Sequence, residues 1–346
     1  MESELFDPQS TTNQKQPGLP DAVLTKTPSK VYGVGGLLIV LLLFPGLHLL
    51  LGGTLNFYLN LMLFAFMYIA LSSSWNIMGG YTGYISLGHN VFFAIGGYFG
   101  GTLLVYHDIS VFVSAPFAGL LTMLVGLLIG LITLRVRGPS FIISTVALVL
   151  VVRLILDNWR YVGGANGMSL PLLDLPVAWS KIPFYYAMLL IAVLAVFMSY
   201  RIRHSKLGLG LRAISQDEIK AEAAGIPTRR YKIIAFALSG FFIGVAGAIW
   251  GQYLTYISPS IFLLILIGAQ MVLMCILGGK GTVAGPIVGA VLVILMNEFF
   301  LSRFGGTELN IFGTGLLMVL VLLFFPDGIV GSLRKMRRLP GFLDWD

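Results

Sequence analysis

Few residues in this chain could do covalent or metal chemistry, and those few do not converge. His48, His89, His107 and His204 share no ligand spacing, and Cys275 is the only cysteine. An internal disulfide and a cysteine-built metal site are therefore excluded, and neither HExxH nor GxSxG occurs. The nearest thing to a phosphate-binding loop is GGKGT at 278–282. A Walker A loop requires Ser or Thr directly after its lysine and a glycine earlier in the loop. Here Gly281 follows Lys280, and Met274 holds the earlier place. The chain is expected to bind no cofactor and to be no enzyme. ATP-driven work would fall to another polypeptide.

Two polar groups remain. Ser86, His89 and Asn90 stand in an otherwise apolar stretch. Polar residues inside a membrane span face the bundle or a water-filled path, so these three either line a pathway or bond helix to helix. Gln252, Gln270, Asn297 and Glu298 pose the same choice, while Arg153 and Asp157, four apart, can pair on one helix face. The second group is SQDEIKAEAAGIPTRRYK, Ser215 to Lys232. Ser215 with Glu218 has capping-box spacing, and Asp217 and Glu218 suit the positive end of a helix dipole. Gly225 and then Pro227 stop the helix. The spacing predicts a helix of about ten residues, Ser215–Ala224, with Ile219, Ala223 and Ile226 near helical period. Helices this short are marginal alone, so it docks on the protein's own face or on a partner.

These groups are set in a chain that is 57% hydrophobic and only 11% charged, with a mean hydropathy of +0.90. That little charge cannot cover a soluble domain. The fold class expected is an all-α integral membrane protein, a polytopic bundle of about ten transmembrane helices. The spans fall near 31–51, 57–78, 84–106, 112–134, 140–156, 184–200, 231–254, 260–277, 286–302 and 311–325. If they alternate, one side holds Lys15, Lys26, Lys30, Arg135, Arg137, the eight Lys and Arg from Arg201 to Lys232, Lys280, Arg334, Lys335, Arg337 and Arg338. The other side holds Arg160, Lys181 and Arg303, and Arg153 lies within a span. This asymmetry places both termini in the cytoplasm, and it explains the net charge of +7 without a nucleic-acid partner.

Residues 1–30 read as a disordered cytoplasmic tail rather than a secretory signal, 31–330 as the membrane domain with a cytoplasmic loop at 201–231, and 331–346 as a basic cytoplasmic tail. Glycines four apart, Gly96/Gly100, Gly97/Gly101, Gly126/Gly130, Gly240/Gly244 and Gly285/Gly289, suit close helix packing in lipid. NIMGGYTGY at 76–84 and CILGGKGTV at 275–283 hint at an internal repeat. GGANG in the long 157–183 loop is explained by turn chemistry.

Glu222-Ala223-Ala224-Gly225 resembles the EAA loop of ABC-importer permeases, the helix that seats in the ATPase subunit. LGLGLRAISQDEIKAEAAGI is similar to the version found in importers of branched-chain and hydrophobic amino acids. In order along the chain, GGYTGYISLGHNVFFAIGGY, RGPSFIISTVAL, GGANGMSL, ILGGKGTVAGPIVGA and FFPDGIVG extend the likeness to a LivM-like permease subunit over nearly everything after residue 30. The resemblance implies a subunit of a prokaryotic inner membrane that forms the path for branched-chain or other neutral amino acids. It also implies a second homologous permease, two ATP-binding subunits that hydrolyse ATP and an extracytoplasmic binding protein. Ser215, Asp217, Glu218, Glu222, Ala223, Ala224 and Gly225 would then couple to the ATPase, with Ser86, His89 and Asn90 as pathway candidates. A urea or short-amide importer is the alternative solute class. A secondary transporter would show midplane ionisable residues, which are sparse here.

Overall fold

The computed structural model describes residues 27–136, 138–305, 308–325, 327–336 and 345. Most of the N-terminal tail expected over 1–30, Arg137, and Arg337 and Arg338 of the C-terminal tail lie outside them. The described residues are predominantly helical: α1 (Thr27–Leu50), α2 (Asn56–Trp75) continued by a π-turn (Asn76–Gly80), α3 (Asn90–His107), α4 (Val111–Thr133), α5 (Pro139–Asn158), α6 (Ile182–Arg203), α7 (Lys206–Gln216), α8 (Glu218–Ala223) and α9 (Thr228–Leu254). There follow α10 (Pro259–Phe262), α11 (Ile265–Gly279), α12 (Gly285–Phe304), α13 (Glu308–Phe324) and α14 (Gly328–Lys335).

Every stretch read as a span is helical, wholly or in large part. Among the described residues, eight helices are long and apolar enough to cross a membrane. The glycine-rich α3 and the 17-residue α13 are not among them. The helices α1 and α14 reach across both tail boundaries. α1 begins at Thr27, with Pro28 in the first turn where its missing N–H is not required. α14 occupies 328–335 and packs on α11 and α12, burying Val330 and Ser332, so the chain past 330 starts as a docked helix.

The bundle is organised on α9, against which α3 and α4 lie along most of their lengths, while α2 pairs with α6 and α11 with α12. These helices approach because their facing positions carry no side chain. A Cβ on Gly96 would overlap the Gly244 carbonyl, and one on Gly247 the Phe93 carbonyl. Between α11 and α12, Gly278 meets the Gly285 carbonyl and Gly289 that of Met274. In lipid, where no hydrophobic force draws helices together, contact at this range supplies the attraction.

The two repeat-like segments meet. The Asn76 side chain donates to the Thr282 carbonyl at 2.8 Å and accepts from the Gly281 N–H at 3.0 Å, and Cys275 Sγ lies 3.1 Å from its Oδ1. Arg203 at the end of α6 donates to the Gly281 carbonyl, and Tyr81 bonds Ser199. This knot lies at the end of the bundle that carries α7 and α8. At the opposite end GGANG is more than a turn. It leads into a two-residue strand, Met168–Ser169, paired antiparallel with Tyr256–Ile257, and Tyr256 Oη donates to the Asn166 carbonyl at 2.5 Å.

Gly96→Leu forces the α3–α9 contact apart, and overpacking of this kind costs about 1–3 kcal/mol. Folded protein recovered from membranes should fall several-fold. Gly36→Leu, where an added Cβ meets nothing within 4 Å, should be recovered like the unmodified chain.

Candidate functional site

The polar island folds differently from its capping-box pattern. Asp217 is extended, φ −161° and ψ 110°, and its carboxylate accepts from the N–H groups of Ile219 at 3.0 Å and Lys220 at 3.1 Å. That side chain competes with the helix for its own amides, so one expected helix becomes two. Ser215 lies in the last turn of α7 and caps nothing; Asp217 is the N-cap of α8. The far end is as expected: Gly225 takes φ +84°, and Ile226 N–H reaches back to the Ala221 carbonyl at 3.1 Å, a Schellman closure.

Amphipathic α7 is the anchor of the pair. Leu211 and Ile214 are buried, and Gly208 and Gly210 are pressed on the Ile202 carbonyl and the Tyr231 ring. On α8 only Ala221 is buried. Ile219 is 70% exposed, and Glu222, Ala223, Ala224 and Gly225 are exposed beside it. The apolar trace of Ile219 and Ala223 therefore points away from the protein's own bundle.

Glu218 turns inward instead of capping Ser215. Lys232, in the second turn of α9, is only 2% exposed, and its Nζ lies 2.6 Å from Glu218 Oε1. The same ammonium donates to Tyr84 Oη at 3.1 Å and stands 4.4 Å from the centre of the Tyr84 ring. Tyr84 Oη in turn donates to Glu218 Oε2. The three groups close a ring of charge-assisted bonds with a cation–π contact. Deleting one partner of a buried pair leaves a stranded charge, at a cost of about 3–5 kcal/mol. The ring fastens α8 to α9 and to the irregular segment 83–89 ahead of α3.

That segment continues into the three pathway candidates, all fully buried. Trp75 Nε1 donates to the Ser86 carbonyl at 2.7 Å, and the Thr145 hydroxyl accepts from Leu87 N–H at 3.2 Å. His89 lies 2.9 Å from Ser86 Oγ through Nδ1 and 2.9 Å from Ser239 Oγ of α9 through Nε2. Ser239 donates its own proton to the Phe236 carbonyl, 2.8 Å away. It must therefore accept from His89, which assigns the proton to Nε2 and leaves Nδ1 to accept from Ser86. Ser86 and His89 are thus spent on joining helices. Asn90 is not: Nδ2 donates to the Leu264 carbonyl at 3.2 Å, but buried Oδ1 finds no partner among the described residues. Tyr98 Oη and Gln252 Oε1 share that condition. Gln270 accepts from Tyr68, and Arg153 pairs with Asp157 at 3.8 Å.

Lys232, Tyr84, Asn76 and Ser239 escape the sequence reading. Lys232 sits in a run of basic residues that orientation alone explains, and no periodic rule relates it to Glu218 across the break between α8 and α9. Of the two cavities described, the larger, about 1290 Å³ between α1 and α2, α6 and α12, is lined mainly by apolar side chains, joined by Tyr200 and His204. A smaller one, about 590 Å³, opens beside α7 at the polar end.

Residues 57–322 match the family described as branched-chain amino acid transport system, permease component. The chain belongs to that family. It is similar to the high-affinity branched-chain amino acid transport permease LivM of Escherichia coli K12, with 30% identity over 299 residues, covering 79% of this chain and 69% of the relative. The high-affinity branched-chain amino acid transport system permease LivH of Salmonella typhimurium is 32% identical over 130 residues, 38% of this chain and 41% of that protein. A probable LivH of Methanocaldococcus jannaschii is 24% identical over 267 residues, 71% and 82% of the two chains. No solved structure matches. The chain is a multi-pass membrane permease component of an ABC transport system.

Asp217 is held below the ordinary carboxylate range, first by the Lys220 amide and then by the Lys220 ammonium; burial opposes them, and the Ile219 amide adds the least. A depressed carboxylate pKa means the cap is complete above the ordinary value and is lost as pH falls through the lowered one. Asp217→Ala should speed amide exchange at Ile219 and Lys220 several-fold at neutral pH, read by hydrogen–deuterium exchange. Asp217→Ser, which can still cap, should restore most of the protection.

Proposed function

We propose that this chain is one of two permease subunits lining the path of an importer for branched-chain or other neutral amino acids in a prokaryotic inner membrane. Both termini and the α7–α8 pair lie in the cytoplasm. Two separate ATP-binding subunits serve the permease pair, one of them gripping the exposed face of α8, and an extracytoplasmic binding protein delivers solute at the end closed by the β1–β2 pairing of Met168–Ser169 with Tyr256–Ile257. The solute class rests on the names of the relatives, and orientation on the side to which the basic residues fall.

The observation that carries the reading is the Glu218–Lys232–Tyr84 ring. A helix that merely decorated the surface would need no buried ion pair. This one presents Ile219 and Ala223 outward and is fixed inward to α9 and to the segment before α3. A push on the outer face therefore moves two elements of the membrane domain together. Differential contact in two states is what coupling requires. Ser215, Asp217, Glu218, Ala224 and Gly225 shape and terminate α8, while Glu222 and Ala223 meet the ATPase. Ser86 and His89 hold the segment that moves, and Asn90 keeps an acceptor for passing solute.

Proteoliposomes containing the whole importer test this. Glu222→Lys on the docking face and Gly225→Val at its positive-φ turn should leave insertion intact yet cut uptake at least about tenfold, the scale of a lost 1.4 kcal/mol. Unchanged uptake at unchanged ATP turnover in both variants overturns the role given to α8.

A further inference from the structure

One half of α1 packs on the bundle and the other half stands off from it. Pro45 and His48 are buried, whereas no residue of 33–40 is. Pro45 has no N–H to give the Leu41 carbonyl four residues back. Tyr185 of α6 supplies the missing donor at 2.9 Å, Tyr186 donates to the Leu42 carbonyl at 2.9 Å, and Phe44 stacks on Tyr185. On the α7 side of that joint the 1290 Å³ cavity opens between α1 and α2, α6 and α12. A Cβ added to Gly35, which lines it, would meet nothing within 4 Å. The glycine contacts that press α3 against α9 have no counterpart here.

The polarity of this space has a direction. Its walls are apolar through Leu38, Leu61, Val196 and Leu295, and along α6 it ends at Tyr200 and His204. His204 Nδ1 lies 2.9 Å from the Tyr200 carbonyl, which can only accept, so that nitrogen carries the proton. The two rings are 4.4 Å apart. Arg201 and Lys206 stand exposed on the same stretch of chain. Basic side chains and tyrosine are what the polar border of a bilayer selects, and arginine and lysine suit a phosphate. From Leu189 to His204 the helical rise is about 22 Å, one leaflet's share of a bilayer about 40–45 Å thick with its head groups. A spanning helix of another subunit would need the full apolar depth of about 30 Å, and the Tyr185 joint closes the groove short of that. Trp345 also lines the space, and the 1290 Å³ is what it leaves open. We infer that the groove holds an acyl chain of a resident phospholipid, with its phosphate at Arg201, His204 and Lys206. The lipid completes the seat of α1 that the chain's own side chains leave unfilled.

The test uses the whole importer, washed free of loosely held lipid in mild detergent and weighed by native mass spectrometry. The unmodified importer should retain phospholipid. Gly35→Trp/Val193→Trp fills the groove from two walls and should cut the retained phospholipid several-fold. Gly36→Trp, one residue along and outside the lining, where an added Cβ also meets nothing within 4 Å, should retain it in full. Arg201→Gln/Lys206→Gln should lower retention several-fold by removing the hold on the phosphate. A benzophenone side chain in place of Phe197, which lines the groove and is 57% exposed, should on irradiation in native membranes form its adduct with phospholipid. Retention that is unchanged in the filled variant or in the glutamine variant, or that falls equally in Gly36→Trp, overturns the inference. So does an adduct with the second permease or with residues 337–346 of this chain, since either names a different occupant.

Discussion

A lysine ammonium with almost no access to solvent must be satisfied from within, and that requirement organises this end of the molecule. Lys232 would be untenable alone at the root of α9. It is made tenable by Glu218 from α8 and by the hydroxyl and ring face of Tyr84. Each of those groups belongs to a different element, so satisfying one charge fixes three backbones. Replacing such a set with hydrocarbon of equal volume is often neutral or stabilising in other proteins. Its presence here therefore argues for what it connects rather than for stability.

What it connects is a sequence of short contacts running inward. Tyr84 opens the irregular segment that carries Ser86 and His89, and His89 returns to α9 through Ser239. Asn90 then starts α3 while holding the Leu264 carbonyl ahead of α11. Glycine contacts keep α3 and α4 against α9 with little slack, so displacement of one is passed to its neighbours by repulsion as much as by bonding. The Asn76 knot ties the end of α2 to the turn after α11 in the same region. The elements that meet the inner face of α8 and those that would border a solute path are thus mechanically continuous.

Much of this was open to reading in the sequence because it rests on local or compositional rules. Span positions follow from runs of apolar residues, the Gly225 stop from a glycine followed by Pro227, and the packing glycines from their spacing. The start of α8 differs from its capping-box pattern because Ser215 and Asp217 can both cap, and only the fold decides that Asp217 does. The break at Asp217 also releases Glu218 from the capping role its spacing suggested. Pairings across long separations leave no periodic trace: Glu218 with Lys232, Asn76 with Thr282 and His89 with Ser239 are set by how helices dock. Ser86 and His89 leave both readings open in the sequence because a polar side chain in an apolar run looks the same whether it meets water or another helix.

The most direct measurement is a double-mutant cycle on Glu218 and Lys232, read as solute moved per ATP hydrolysed in proteoliposomes. Glu218→Gln and Lys232→Met should each lower that ratio, and the double variant should be no worse than either alone, because the pair acts as one link. Losses that simply add, or a ratio untouched in all three, would contradict the account.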